Sequence, residues 1–224
     1  DNGKLRHVVY VGSMAVFGSL PAGPVVTEES ARIGDSAYAR NKIAAAKHAA
    51  MTKPGLVSTI LHPTGVYDES SPRIRTYRQL LSRNYIALRA GGRGTNNIVH
   101  AADVADALMQ CIRRVPASST EEYIINGESI SYGDWFERLA STTADRSWLQ
   151  LPQAAKHLCR GPVRRMLNAV GISCPLPIPE YKIAAFEHQI TYSSQKATRH
   201  FNFHPTTRFD DFCRRLSSGA GNPA

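Results

Sequence analysis

The sequence predicts a parallel α/β fold. Short apolar runs rich in β-branched residues alternate with longer segments of helical period, and the runs at 7–11, 56–61 and 123–125 close on Gly, Pro and Asn-Gly. That alternation is the pattern of strand–helix–strand units. The first run, His7-Val8-Val9-Tyr10-Val11-Gly12, reads as a strand over about 7–13, followed by a loop rich in Gly, Pro and Ser over 18–35. Ser36 to Ala50 is Ala-rich and helical, ended by Pro54-Gly55. Leu56 to Leu61 is a second strand, closed by Pro63. A helix with a basic face follows at about 72–84, then a short strand at Asn97–Val99 and an apolar-periodic helix from Ala101 to Arg114. Tyr123–Ile125 reads as a strand before the turn at Asn126-Gly127. Ser131, three residues before Asp134 and ahead of Trp135, Phe136 and Leu139, reads as a helix cap. Residues 152–188 are Pro-punctuated helix and loop, 208–216 a last helix, and 217–224 a disordered tail.

At 224 residues with 42% apolar content, the chain is long enough to bury a sizeable core. Its four cysteines (Cys111, Cys159, Cys174, Cys213) have no paired short spacing, so neither a zinc site nor a disulfide framework is expected. A reduced, cytoplasmic setting and no membrane span are the expectation. The net charge of +9 gathers in arginines 73, 75, 78, 83, 89 and 93, and again in 160, 164 and 165. No helix-turn-helix, zinc finger or aromatic-studded RNA motif accompanies them, so solvated faces or an anionic substrate are expected rather than nucleic acid. His200 and His204 lie four apart without a carboxylate or third ligand nearby in sequence, and no metal is expected there.

The residues that point to chemistry are Tyr38 and Lys42, in Tyr38-Ala39-Arg40-Asn41-Lys42. Four apart on a helix, they share one face. An ammonium beside a phenol stabilises its anionic form, which suits the phenol to moving a proton. Ser13 ends the first strand, where α/β sheets usually carry their sites. A Tyr-x-x-x-Lys spacing alone is weak, and Ser13 alone has a plainer reading as a hydroxyl capping local backbone.

The order of surrounding segments adds to this. Val8 to Gly18, with Ser13 followed by small residues, an aromatic and Gly, resembles the serine-bearing strand and loop of extended short-chain dehydrogenases/reductases, the epimerase/dehydratase group. Thr27-Glu28-Glu29 resembles that family's acidic loop, and Leu61-His62-Pro63-Thr64-Gly65-Val66-Tyr67 its Arg-Pro-x-x-x-Tyr segment. Asn97 to Ala107 resembles its Val-His-x-x-Asp helix start; Lys196-Ala197 and Phe201 to Pro205 resemble its closing segments. His100 and Asp103 are expected to be structural, the first buried and the second a carboxylate in a helix's first turn.

The resemblance implies an NAD(P)-dependent oxidoreductase or epimerase acting on a hydroxyl or carbonyl. Tyr38 would be the general acid/base, Lys42 would bind the nicotinamide ribose, and Ser13 would hold the reacting oxygen. Pro63, Thr64, Gly65 and Val66 would lie along the nicotinamide, chiefly through backbone. The family's Gly-x-x-Gly-x-x-Gly turn is not in this sequence; Gly91-Gly92-Arg93-Gly94 is the nearest glycine cluster. The expectation is therefore the C-terminal part of a Rossmann-like doubly wound sheet with an interleaved smaller α/β substrate region. Residues 1–112 would be the remainder of the Rossmann-like domain, with 66–97 lent to the substrate region, and 113–216 mainly substrate-binding. Partners would be a small-molecule substrate and the absent N-terminal half or a second copy.

For the substrate, the family's nucleotide-sugar members place an arginine where Asn96 stands, and an arginine before the proline where His62 stands. An amide cannot give the forked, charge-assisted contact of a guanidinium. With Asp68-Glu69 after the tyrosine and the Pro175-Leu176-Pro177-Ile178-Pro179 stretch, these departures favour a hydroxysteroid- or sterol-like substrate, or another without a nucleotide. A nucleotide sugar, with Arg93 as the phosphate contact, is the alternative. A non-catalytic interaction protein retaining part of the fold is the other.

Overall fold

The computed structural model describes residues 5–19, 21, 23–50, 56–82, 93–114, 120–143 and 188–218. The expectations for 152–187, for the Pro175–Pro179 stretch, for arginines 160, 164 and 165, and for the tail beyond 218 lie outside these residues.

The central strand is β3 (Val57–Pro63), whose residues from Ser58 onward are all buried. A strand covered on both faces reads as one continuous run, as this one does. It pairs in parallel with β1 (His7–Val11) on one side and β6 (Thr120–Ile125) on the other, His7 facing Val57 and Ser58 facing Thr120. β1 ends this sheet among the described residues. Successive residues of β6 supply opposite cores, as the two-residue period of a strand requires. Tyr123 and Ile125 join Leu61, Val99, Cys111 and Phe203 on the side of helix α3 (Ala101–Arg113). Ile124 joins Val16, Phe17, Val26 and Tyr192 on the side of helix α1 (Ala37–Ala50), which contributes Ile43. The sheet is thus parallel with helices on both faces, the expected architecture.

A second sheet departs from the parallel expectation. β4 (Gly65–Tyr67) and β5 (Thr95–His100) run parallel, but β7 (Glu128–Ser131) pairs with β5 antiparallel. Around it lie α2 (Pro72–Ser82), α4 (Tyr132–Ala140) and α6 (Phe209–Ser217), enclosing an aromatic core of Tyr67, Trp135, Phe136, Phe209 and Phe212. The sequence reading gave no strand to β4, β7 or the two-residue parallel pair β2 (Val25–Val26) and β8 (Thr191–Tyr192). Strands of two to four residues are too short to display an alternation. Helix α5 (Gln195–Phe201), also not foreseen, closes on Asn202 in the left-handed conformation. Ser217, assigned to the tail, is the last residue of α6.

Three local features match their sequence signals. Ser131 caps α4, its hydroxyl accepting from the Asp134 amide at 3.0 Å. His100 is buried and caps α3, Nδ1 accepting from the Ala102 amide at 3.2 Å. Asp103, buried in the first turn of α3, accepts from Thr206 N at 2.8 Å, Thr206 Oγ1 at 2.9 Å and Thr207 N at 3.3 Å. It thereby ties the segment leading into α6 to the first sheet's helix.

Candidate active site

The site lies where β1 ends. Beyond Val11 the chain continues the sheet for one residue, Gly12 N donating to Leu61 O at 2.7 Å, then turns into a 3₁₀ turn, Met14–Phe17. Gly12 cannot carry a side chain: a Cβ would stand 2.8 Å from His62 Nδ1 and 3.2 Å from the Leu61 carbonyl. Gly18 ends the turn at φ 82°, where only glycine is unstrained. Between them Ser13 is half-buried, and its Oγ accepts from the Ala15 amide at 3.2 Å. The local-capping reading of Ser13 therefore holds. It does not consume the hydroxyl, because one accepted bond leaves the O–H proton free to donate.

Helix α1 packs against this 3₁₀ turn and against β1 and β3. Ser36 opens it, accepting from the Ala39 amide at 3.1 Å. Alanines at 39 and 46 are buried against the sheet, so the helix lies close to it. Tyr38 stands in the first turn with 58% of its surface exposed. One turn on, the Lys42 ammonium donates to the Val11 carbonyl at 3.4 Å and lies 5.6 Å from the Tyr10 ring and 5.9 Å from the Tyr38 ring. Lys42 is thus drawn to the end of β1, one residue before the Gly12-Ser13 turn. The fold thus brings Lys42, 29 residues after Ser13 in the chain, to the end of β1 from which Ser13 follows, with Tyr38 one helical turn before Lys42.

Pro63 and Thr64 continue from β3 beside this end and are buried. The Thr64 hydroxyl is committed inward, to Ile125 O at 3.4 Å and Asn126 Oδ1 at 3.0 Å. The segment therefore offers backbone rather than side-chain hydroxyl. Val66 is 41% exposed, an apolar surface on the same segment.

Beneath the Ser13 turn runs a polar network that the sequence only half announced. His62 is fully buried, with Nδ1 3.3 Å from the Ser13 carbonyl and Nε2 2.9 Å from Glu122 Oε2. Glu122 also receives Arg32, whose guanidinium carbon sits 4.2 Å over the Phe17 ring. The hydrogen bond from His62 holds the Glu122 carboxyl below its ordinary range, opposed by burial and reinforced by Arg32. The acidic loop is anchored to the same strand: Glu28 Oε1 accepts from the Ile124 amide at 2.8 Å. His62 stood out in the sequence as a departure from arginine; Glu122 carried no signal beyond an ordinary pair of acids at a strand start.

Asn96, the other departure, is buried, and its Oδ1 accepts from Arg73 at 3.3 Å. The guanidinium beside it comes from α2, so Arg73 stands next to Asn96. Arg78 is held by Thr142 through Oγ1 and the carbonyl, both at 3.1 Å. Glu69 faces Arg215 at 3.6 Å and His100 at 3.9 Å. Among the described residues no helix is long and apolar enough to cross a membrane.

No family model matches the sequence, and no curated protein matches it. Solved structures do match in shape. A UDP-glucuronic acid 4-epimerase from Bacillus cereus in complex with NAD superposes with a TM-score of 0.65 at 15% identity, over 96% of this chain and 64% of that one. RMD from Pseudomonas aeruginosa complexed with NADPH gives 0.65 at 15% identity, over 96% and 66%. DesIV, a dTDP-glucose 4,6-dehydratase from Streptomyces venezuelae with NAD and TYD bound, gives 0.64 at 18% identity, over 95% and 59%. The chain spans less than two thirds of the length of each. At these identities the likeness establishes architecture: the chain has the Rossmann-like α/β fold of NAD-dependent epimerases and dehydratases.

Proposed function

We propose that the chain carries the catalytic and substrate-binding part of an NAD(P)-dependent oxidoreductase or epimerase acting on a hydroxyl or carbonyl. The observation that carries this reading is the convergence at the end of β1: Lys42 bonded to the Val11 carbonyl, Tyr38 one turn away, and Ser13 on the adjoining turn. In this reading Tyr38 would take the proton from the substrate hydroxyl. Ser13 donates its free proton to the reacting oxygen and stabilises the charge that develops there. Run in reverse, Tyr38 returns the proton to a carbonyl oxygen.

The residues present fit a nicotinamide nucleotide. Lys42 would hold the ribose, and the backbone of Pro63, Thr64, Gly65 and Val66, with the exposed Val66 side chain, would lie along the ring. Bound there, the cofactor would accept or return hydride. The pyrophosphate-binding turn would come from polypeptide outside these 224 residues. NAD and NADP are both compatible with these residues.

For the substrate we favour a sugar joined to a nucleotide over the hydroxysteroid reading. The three matched proteins have names or bound ligands pointing to nucleotide sugars or their nucleotides in two cases, and Arg73 places a cation beside Asn96. The test is hydride transfer by the full-length protein. UDP-glucose, UDP-glucuronic acid, dTDP-glucose and a hydroxysteroid are offered with NAD and with NADP, and reduced nicotinamide and sugar products are followed. Turnover of a nucleotide sugar supports the proposal; turnover of the steroid alone restores the other substrate class; none with any of them counts against an oxidoreductase.

A further inference from the structure

His62 is in an unusual position for a buried histidine: both ring nitrogens face acceptors. Nδ1 lies 3.3 Å from the carbonyl of Ser13, which has no proton to give. Nε2 lies 2.9 Å from a carboxylate oxygen of Glu122. A neutral imidazole has one donor and one acceptor, and either tautomer would leave one of these contacts with two acceptors face to face. Both contacts are hydrogen bonds only if the ring carries both protons. Glu122 is suited to balance that charge, since its carboxyl is held in the ionised form by His62 and by Arg32.

The ring also touches the Ser13 turn along its whole length. It lies under Gly12, so closely that a Cβ there would be 2.8 Å from Nδ1. It bonds the Ser13 carbonyl, and it meets the Phe17 ring edge-on at 5.7 Å between centroids. Phe17 is in turn covered by the Arg32 guanidinium. The Ser13 carbonyl has a second donor in the Val16 amide at 3.3 Å, so its direction is fixed from two sides.

We propose that His62 is a positioning residue for Ser13: as a buried imidazolium paired with Glu122, it donates through Nδ1 to the Ser13 carbonyl and so sets where the Ser13 hydroxyl points. This deepens the reading of Ser13 given under Proposed function and rests on it for its catalytic consequence. Glu122 carries the charge opposite to the ring and shares the same carboxylate oxygen with Arg32, and the contribution to Ser13 is geometric, through one hydrogen bond.

Two substitutions separate this from a merely structural role. The amide of Asn overlays Nδ1 of histidine and the amide of Gln overlays Nε2, so His62→Asn retains the donor to Ser13 whereas His62→Gln retains the donor to Glu122. In the full-length protein, ring nitrogen resonances of ¹⁵N-histidine should show His62 protonated on both nitrogens. Glu122→Gln should convert it to the neutral form with the proton on Nδ1, because the new amide donates to Nε2. Hydrogen exchange at the Ala15 and Val16 amides, which bond Ser13 Oγ and Ser13 O, should quicken in His62→Gln and stay near wild type in His62→Asn. Where a substrate is turned over, His62→Gln should lower kcat by about tenfold with KM little changed, less than loss of a direct oxyanion donor. His62→Asn should recover most of it. A wild-type ring protonated only on Nε2, or Asn and Gln variants that exchange alike, overturns the proposal. If the resonances and exchange behave as stated while no substrate is turned over, it is the oxidoreductase reading that fails and the positioning contact that stands.

Discussion

The two sheets of this molecule are built from different materials. The β1–β3–β6 sheet packs aliphatic side chains mixed with single rings such as Phe17, Tyr123 and Phe203, and hides a polar network, His62–Glu122–Arg32, under the turn that presents Ser13. The β4–β5–β7 sheet rests on rings: Tyr67 lies edge-on to Phe209 and Phe212 at 5.2 and 5.0 Å, and Trp135 to Phe136 at 4.9 Å. Edge-to-face packing of large rings buries a large apolar area and yields stability. A hydrogen-bonded network beneath a turn yields position, and becomes costly whenever one member is missing. Ser13 stands over the network, while the aromatic core packs against the second sheet.

The largest effect on folding is therefore expected in the aromatic core. Trp135→Ala should destabilise the protein by about 3–5 kcal/mol in denaturant unfolding, since the side chain is 1% exposed and closely surrounded. Trp135→Phe should be far milder, because the indole Nε1 has no hydrogen-bond partner to lose. If the two cost the same, the polar atom matters and the packing account of this core is wrong.

At the network end, Ser13→Ala should lower turnover by less than the roughly 10²–10³-fold that loss of an oxyanion donor costs, water partly replacing the hydroxyl. Its melting temperature should hardly move. Gly12→Ala should impair both properties, costing about 1–3 kcal/mol as the new methyl displaces His62. An alanine variant of full stability and activity would mean that His62 does not sit under the turn.

The smallest effect is a pH dependence. The Glu122 carboxyl is lowered from an ordinary 4.5, so the folded state binds its proton less tightly than the unfolded chain. It contributes stability above the unfolded value, and that contribution is lost as pH falls through the lowered folded value. Melting temperature in acid should fall less steeply in Glu122→Gln than in wild type. An equal slope would remove Glu122 from the account.

The sequence disclosed the long elements and the motif-bearing residues, for physical reasons. Helices such as α3 and α4 have enough turns to show their period, and Ser131 announces a cap by its own chemistry. β2, β4, β7 and β8 are too short to show any period, and their pairing depends on partners far along the chain, as Val25 with Thr191 shows. Ser13, Tyr38 and Lys42 could be singled out as candidates because helix spacing and strand end are local. Glu122 was not, because its role follows only from β6 lying beside β3, which places it 60 residues away against His62. Arg73 gave no sequence signal because nothing local shows that α2 turns it toward Asn96.

The division between the two sheets is tested most directly by Tyr38→Phe in the full-length protein, with turnover and melting temperature measured on the same sample. Losing the phenolic proton while keeping the ring should cut turnover by about 10²–10⁴-fold. The melting temperature should stay at its wild-type value, since Tyr38 is 58% exposed. Normal turnover at unchanged stability would contradict the account, leaving Tyr38 and Lys42 as ordinary residues on a helix surface.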